Sequence, residues 1–151
     1  MNEEKSTNCL RGLPDTVAFS PDGRALRILD QTRLPGDTVY LDLTEPEEIY
    51  EAIKSLRVRG APAIGVAAAI GLYCAALRFG ETDTTRFIEK LKMTADYINS
   101  SRPTAVNLSW ALGSMVSCAD PALGVEENIA RLRAKAEELR DADIAACRAI
   151  G

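Results

Sequence analysis

The fold is decided by residues 57–78, which read R-V-R-G-A-P-A-I-G-V-A-A-A-I-G-L-Y-C-A-A-L-R. From residue 61 onward this stretch is apolar for about 17 residues, and Ala and Gly predominate in it. A helix that is apolar on nearly every side is one that its neighbours bury. Because a membrane span needs about 20 strongly apolar residues, the stretch predicts a buried core helix over 61–78.

The start of this helix is a candidate anion-binding site. A helix N-terminus leaves backbone N–H groups without partners and carries a partial positive charge. Arg57 and Arg59 precede the helix as fixed cations, and Gly60 lets a ligand approach the backbone. Pro62 lies in the first turn, where its missing N–H costs no intrahelical hydrogen bond. The arrangement suits a phosphate or a carboxylate, and a plain loop with solvated arginines is the alternative.

A similar arrangement occurs again at residues 101–107, which read S-R-P-T-A-V-N. Arg102 precedes Pro103, and we expect Pro103 to open another helix because proline is tolerated in a first turn. Thr104 and Asn107 add side chains that can donate hydrogen bonds. Two helix N-termini with an arginine each could therefore meet at one anionic ligand.

Before the first helix, the pattern indicates three short strands. They are expected at residues 17–20, 24–32 and 38–43, and the turn sequences S-P-D-G at 20–23 and L-P-G-D at 34–37 separate them. Short strands joined by tight turns form antiparallel meanders. A small three-stranded antiparallel sheet is therefore predicted near the N-terminus.

Four further helices are predicted from apolar residues at helical spacing. The first covers about 45–57, with Thr44 as its N-cap and Glu47 as its capping-box partner. The other three are expected at 82–100, at 103–119 and from 125 to the end of the chain. The sequence thus predicts an α+β fold, in which a β meander precedes a bundle of about five helices.

The composition excludes several kinds of function. The net charge is −4, whereas a general nucleic-acid binder shows a basic excess. The 151 residues include no histidine, so a Ser–His–Asp triad is excluded and acid–base chemistry would need a carboxylate, a cysteine or a lysine. The N-terminus is polar and shows no secretory signal.

The cysteines are expected to be reduced thiols that act as small apolar side chains. No two of them form a C-x-x-C pair, and zinc sites that need histidine are excluded. No metal site is therefore predicted. The four are Cys9, Cys74, Cys118 and Cys147.

Both arginine-containing segments resemble signatures of the methylthioribose-1-phosphate isomerases. The first is S-L-R-V-R-G-A-P-A-I-G-V-A-A-A-I-G-L at 55–72, and the second is S-R-P-T-A-V-N-L-S-W-A-L at 101–112. L-R-I-L-D-Q-T-R-L-P at 26–35 is similar to the family's N-terminal hairpin, and C-R-A-I-G at 147–151 to the end of its long linking helix. The resemblance covers the chain from about residue 16 to its end.

The resemblance implies an aldose–ketose isomerase of methionine salvage, which interconverts 5-methylthioribose 1-phosphate and 5-methylthioribulose 1-phosphate. It implies a homodimer that needs no metal or organic cofactor. The reduced cysteines fit a cytoplasmic protein, and the net charge and the short apolar stretch lead us to expect binding to neither nucleic acid nor membrane. Residues 16–151 would be the family's N-terminal domain after a flexible segment at 1–15. The Rossmann-like C-terminal domain of the family would be absent from this chain.

Carried over by position, the resemblance assigns substrate binding to Arg59, Gly60, Ala61 and Arg102. The family's catalytic cysteine, in a Cys-Asn-Ala-Gly stretch, and its catalytic aspartate would both lie beyond residue 151. No catalytic residue is therefore assigned here, and the 151-residue chain alone is expected to be inactive. Two alternatives remain open: a ribose-1,5-bisphosphate isomerase, and a regulatory subunit like those of translation initiation factor 2B.

Overall fold

The computed structural model describes residues 17–33, 36–55, 57–58 and 61–150, and of Ala61 and residues 143–150 it describes the backbone alone. The N-terminal segment that was expected to be flexible therefore lies outside the described residues. So do Arg59 and Gly60.

The predicted meander is confirmed as a three-stranded antiparallel sheet. Its strands are β1 (Val17–Phe19), β2 (Leu26–Leu29) and β3 (Tyr40–Leu43), with β2 in the centre. Leu26 lies opposite Leu43, and both are buried. One face of the sheet thus packs on the core.

The turn between β1 and β2 has the conformation that its sequence predicts. Gly23 adopts a φ of 72°, a region that costs glycine little, and its N–H donates to the carbonyl of Ser20 at 2.8 Å. After β2, residues Gln31–Arg33 form a short 3-10 turn. Asp30, just before this turn, and Thr32, within it, accept hydrogen bonds from Arg57 in the chain that enters the second helix.

The five predicted helices are present, and each is labelled in chain order. They are α1 (Pro46–Lys54), α2 (Ala61–Ala76), α3 (Thr84–Asn99), α4 (Val106–Ser117) and α5 (Val125–Ile150). The α+β class is confirmed.

Helix α2 is the buried core helix that the sequence predicts. It contacts the other four helices as well as β1 and β2, and Ala67, Ile70 and Leu72 are completely buried. A Cβ added at Gly71 would lie 2.7 Å from Ile49 Cδ1, so a larger residue there would displace the side chain of Ile49 on α1. Within the described residues, no helix combines the length and hydropathy that a bilayer span requires.

The predicted cap of α1 is wrong by one residue. The helix begins at Pro46, its N-cap is Glu45, and the carboxylate that folds back belongs to Glu48 and not to Glu47. Glu48 Oε1 accepts the N–H groups of Thr44 at 3.0 Å and Glu45 at 3.1 Å. Proline fits the first helical position, because its fixed φ is helical and its N–H is not needed there. The helix also ends at Lys54, before the predicted residue 57.

The prediction that Pro103 opens a helix is also wrong. Residues 101–104 continue from α3 as turns, in which the Arg102 N–H donates to the carbonyl of Asn99 at 3.3 Å. Proline disfavours the helical conformation of the residue before it. The first carbonyl to accept a hydrogen bond from α4 is that of Ala105, from the Ser109 N–H at 3.1 Å.

Candidate functional site

The first turns of α2 and α4 lie side by side. A Cβ added at Gly65 would be only 3.1 Å from the backbone oxygen of Asn107, so the two helices touch where each begins. Pro62 of α2 and Asn107 of α4 line the same depression. The structure therefore brings together the two helix N-termini that the sequence singled out.

These two N-termini differ electrostatically from the other three. In α1 and α5, Glu48 and Glu127 accept backbone N–H groups at the helix start, and in α3 the N-cap Asp83 accepts the Arg86 N–H at 3.0 Å. Neither α2 nor α4 has an acidic residue in its first turn. The N-cap of α4 is Ala105, which offers no side-chain hydrogen bond. A helix N-terminus without acidic residues in its first turn can receive an external anion, and the residues that precede α2 lie outside the described residues.

Arg102 lies in the turn that leads into α4, and it is exposed. Within the described part of the chain, no carboxylate lies within ion-pair distance of its guanidinium. An exposed arginine beside a helix N-terminus is available to a phosphate as a bidentate donor.

Arg57, which the sequence offered as one of two cations before α2, is paired with carboxylates of this chain. Its Nη1 donates to Asp30 Oδ2 at 2.7 Å, and its Nε donates to Glu51 Oε1 at 2.9 Å. Because both ends of the guanidinium fork are held by carboxylates, Arg57 is a structural cation. The pairing joins groups 27 residues apart in the sequence, so no local pattern could have indicated it.

The pKa shifts agree with this assignment. Burial alone raises the pKa of Asp30, but hydrogen bonds from Thr32 and Arg57 more than offset burial and hold the pKa below its ordinary value. The hydrogen bond from Arg57, followed by one from Ser55, lowers the pKa of Glu51. The bond to Glu51 raises the pKa of Arg57. All three groups of this network are therefore charged at neutral pH.

An apolar depression of about 310 Å³ lies next to the two helix N-termini. Residues from α2, α4 and α5 line it, among them Pro62, Val66, Trp110, Ala111 and Leu139. Trp110 is 62% exposed, which is unusual for so large a side chain and leaves its ring open to a ligand. Sequence analysis missed this feature because three helices from distant parts of the chain form it.

Neither of the two described cysteines has the lowered pKa of an activated thiol. Burial raises the pKa of the Cys74 thiol to about 12, and burial also raises the pKa of Cys118. Cys74 is completely buried, as expected for a thiol that acts as an apolar side chain. The side chains of Cys9 and Cys147 lie outside the described residues. Where side chains are described, no three His, Cys, Asp or Glu residues cluster as metal ligands.

A family model provides the first comparison with known proteins. The model of the Initiation factor 2 subunit family matches residues 57–151. The match begins at Arg57 and includes α2, α4 and α5, the elements that surround the candidate site.

Curated relatives give a narrower comparison. The chain is 47% identical to methylthioribose-1-phosphate isomerase of Symbiobacterium thermophilum and 51% identical to that of Gemmatimonas aurantiaca. These matches cover 91% and 89% of this chain but 39% of each relative. A third relative is 5-deoxyribose 1-phosphate isomerase of Clostridium botulinum, which is 47% identical to this chain. That match covers 83% of this chain and 37% of the relative. The chain thus spans about two-fifths of the length of the relatives it matches.

Two solved structures are similar to this one. The 5-methylthioribose 1-phosphate isomerase of Pyrococcus horikoshii OT3 matches with a TM-score of 0.82 at 28% identity, over 92% of this chain and 38% of that one. The delta subunit of translation initiation factor eIF-2B from A. fulgidus matches with a TM-score of 0.76 at 35% identity, over 82% and 36%. The architecture therefore occurs both in an enzyme and in a translation factor.

Proposed function

Because the chain belongs to the Initiation factor 2 subunit family, we propose that it is the substrate-phosphate-binding portion of a methylthioribose-1-phosphate isomerase. One observation carries the proposal. Two helix N-termini without acidic residues lie side by side, and an arginine precedes each of them. Such a site binds a dianion through backbone N–H groups and guanidinium groups.

In this proposal the 1-phosphate of the sugar binds between α2 and α4. Arg59 and Arg102 supply the two guanidinium groups, and the backbone of Gly60 and Ala61 supplies N–H donors. Holding the phosphate fixes where the reacting sugar carbons lie, and fixed placement lowers the entropic part of the barrier. The isomerisation moves hydrogen between adjacent carbons and needs a positioned proton donor and acceptor. We assign neither role to a residue of this chain.

The depression next to this site supports an apolar substituent at C5 of the sugar. Val66, Ala111 and Leu139 in its lining would not satisfy the charge of a second phosphate, since a buried unpaired charge is strongly unfavourable. A methylthio group would contact these side chains and the ring of Trp110. The lining thus favours 5-methylthioribose 1-phosphate over ribose 1,5-bisphosphate.

A regulatory subunit is the second candidate, which the similarity to the eIF-2B delta subunit supports. Such a protein would bind a partner and would not turn over the sugar. The setting that we propose for the enzyme is a cytoplasmic homodimer that does not bind nucleic acid or membranes, in line with a net charge of −4. Sedimentation of the protein at the full length its gene encodes tests the dimer.

The decisive experiment is turnover of 5-methylthioribose 1-phosphate by that full-length protein, followed by NMR of the ketose product. We expect Arg59→Ala and Arg102→Ala to raise KM about 10-fold each, since a charge-assisted hydrogen bond contributes about 1.5–3 kcal/mol. Arg86→Ala is the matched control, because Arg86 is exposed on α3. The double variant should lose less than the sum of the two free energies if both arginines bind one phosphate.

Three results would contradict the proposal. Full-length protein without turnover would favour the regulatory subunit. Unchanged KM in both arginine variants would remove the phosphate role of the two helix N-termini. A higher kcat/KM for ribose 1,5-bisphosphate would contradict the apolar C5 site. The 151-residue chain alone should show no turnover.

A further inference from the structure

The chain that enters α2 is attached to two other elements through one side chain. Arg57 Nη1 donates to Asp30 after β2 at 2.7 Å, and Arg57 Nε donates to Glu51 of α1 at 2.9 Å. Thr32 Oγ1 accepts a third bond from Arg57 Nη1 at 3.2 Å. A planar guanidinium that is held at both ends has a fixed position and orientation.

The backbone at the same place is held as well. The Arg57 N–H donates to the carbonyl of Ala52 at 2.9 Å, and the Arg57 carbonyl accepts the Gln31 N–H at 2.9 Å. Val58, the next residue, is buried with 2% of its surface exposed. Side chain, backbone and the following residue thus all fix the chain at 57–58.

The candidate anion site begins immediately after this fixed point. Arg59 follows Val58 directly, and α2 begins at Ala61. Consecutive Cα atoms are about 3.8 Å apart, so Arg59 departs from an anchored neighbour and two residues connect that anchor to the helix. The anchor at 57–58 therefore fixes the point from which the chain leads to α2.

We propose that Asp30 is a positioning residue of the anion site, which acts through Arg57 on the segment of Arg59, Gly60 and Ala61. The inference rests on the proposed function. Asp30 is 2% exposed, so it is not placed to touch a ligand itself. Its carboxylate receives Arg57 on one oxygen and the N–H and Oγ1–H groups of Thr32 on the other. Removing its charge releases one end of the guanidinium fork and leaves the other end on the half-exposed Glu51.

The test compares three variants in the protein at the full length its gene encodes. Asp30→Asn keeps the shape of the side chain and removes the charge that holds Arg57. Glu51→Gln weakens the bond to Arg57 Nε at the other end of the guanidinium. Because Glu51 is exposed, this variant should fold even if Asp30→Asn does not. Asp42→Asn is the control, because Asp42 also pairs with an arginine of the sheet, Arg27, at 2.7 and 2.9 Å.

Two readouts are needed. NMR order parameters of the Gly60 and Ala61 amides report the positioning, and calorimetric titration with inorganic phosphate and with 5-methylthioribose 1-phosphate reports binding. We expect lower order parameters and roughly 10-fold weaker binding in Asp30→Asn, with a higher KM and little change in kcat. Asp42→Asn should match the wild type in both readouts.

The outcomes separate the two proposals. Unchanged order parameters in Asp30→Asn and Glu51→Gln overturn the positioning role whether or not the protein is an isomerase. Lower order parameters with unchanged affinity overturn its relevance to binding and leave the proposed function intact. Equal losses in Asp42→Asn would show a general effect of stability and overturn the inference. If the wild type binds neither inorganic phosphate nor 5-methylthioribose 1-phosphate, the proposed function is contradicted. The binding role of Asp30 is then contradicted as well.

Discussion

Asp30 is a carboxylate whose burial is compensated by its neighbours. It is 2% exposed, and hydrogen bonds from Thr32 and Arg57 keep it ionised. Arg33 Nε also lies 4.0 Å from its Oδ2, so the groups that face it and carry charge are both cations. Leaving one member of such a buried pair without the other costs more than breaking an exposed pair. Asp30 should therefore contribute to stability as well as to the site.

The pH dependence of stability should show this contribution. The pKa of Asp30 is below its ordinary value of 3.8 in the folded protein, so in acid the unfolded chain takes up the proton first. The stabilisation is thus complete above pH 3.8 and is lost as the pH falls through the lower pKa of the folded state. We expect the difference in unfolding free energy between wild type and Asp30→Asn to shrink as the pH is lowered from about 5 to about 2.5. Urea denaturation across this range measures it, and a difference independent of pH would argue against the prediction.

Among elements, α4 is notable for a start without a cap. Ala105 has the extended conformation of an N-cap, with φ of −78° and ψ of 109°, but has no side-chain acceptor. Ser, Thr, Asp or Asn at this position stabilises a helix by about 0.5–2 kcal/mol relative to Ala. The start of α4 is also where we propose that the phosphate binds. Stability and anion binding therefore make opposite demands on position 105.

Substitutions at Ala105 can separate these demands. We expect Ala105→Ser and Ala105→Asp each to raise the unfolding free energy by about 1 kcal/mol, because both supply the missing acceptor. Ala105→Asp should also weaken phosphate binding, since its negative charge occupies the helix N-terminus. Ala105→Ser is the uncharged control and should weaken binding less. Equal phosphate affinities in the two variants would indicate that the ligand does not bind at α4.

The sequence predicts which helices form better than it predicts the residues at which they begin and end. The apolar spacing of α1 to α5 depends on core packing, which dominates helix stability, so all five helices were predicted. The end of a helix depends on a single hydrogen bond. Glu47 and Glu48 are equally plausible capping partners in the sequence, and only the fold shows that Glu48 receives the Thr44 N–H. Proline at position 103 would also fit the first turn of a helix, but residues 101–104 form turns and α4 begins only at Val106.

The whole molecule is organised around α2, which contacts every other helix and two of the three strands. Arg59 and Arg102 were assigned to the site because they precede recognisable helix starts, and their binding role stays a prediction. The bond from Arg57 to Asp30 and the depression at Trp110 could not, since both depend on how distant elements pack. Whether Arg59 and Gly60 bind substrate stays a prediction, because they lie outside the described residues.

A central helix should become accessible only when the whole domain unfolds. Cys74 of α2 is completely buried and reports this directly. In a variant with serine at the other three cysteines, we expect a thiol reagent to label Cys74 at least about 10³-fold more slowly than in the unfolded chain. The free energy from labelling should equal that from urea unfolding. A variant that keeps only Cys118, which is partly exposed, should react faster, and rapid labelling of Cys74 would contradict this view.

The packing of α2 also bears on how far its sequence can diverge. A methyl group at Gly71 would displace the side chain of Ile49, and a Cβ at Gly65 would lie 3.1 Å from the carbonyl oxygen of Asn107 on α4. Residues 64–76 of α2 are all buried, so packing limits the size of their side chains before any ligand is considered. Two related proteins would therefore keep similar sequences in α2 even if only one of them retained the ancestral enzymatic activity. The most recognisable stretch of the chain is therefore constrained by the architecture itself, and likeness in this stretch does not by itself indicate a shared activity.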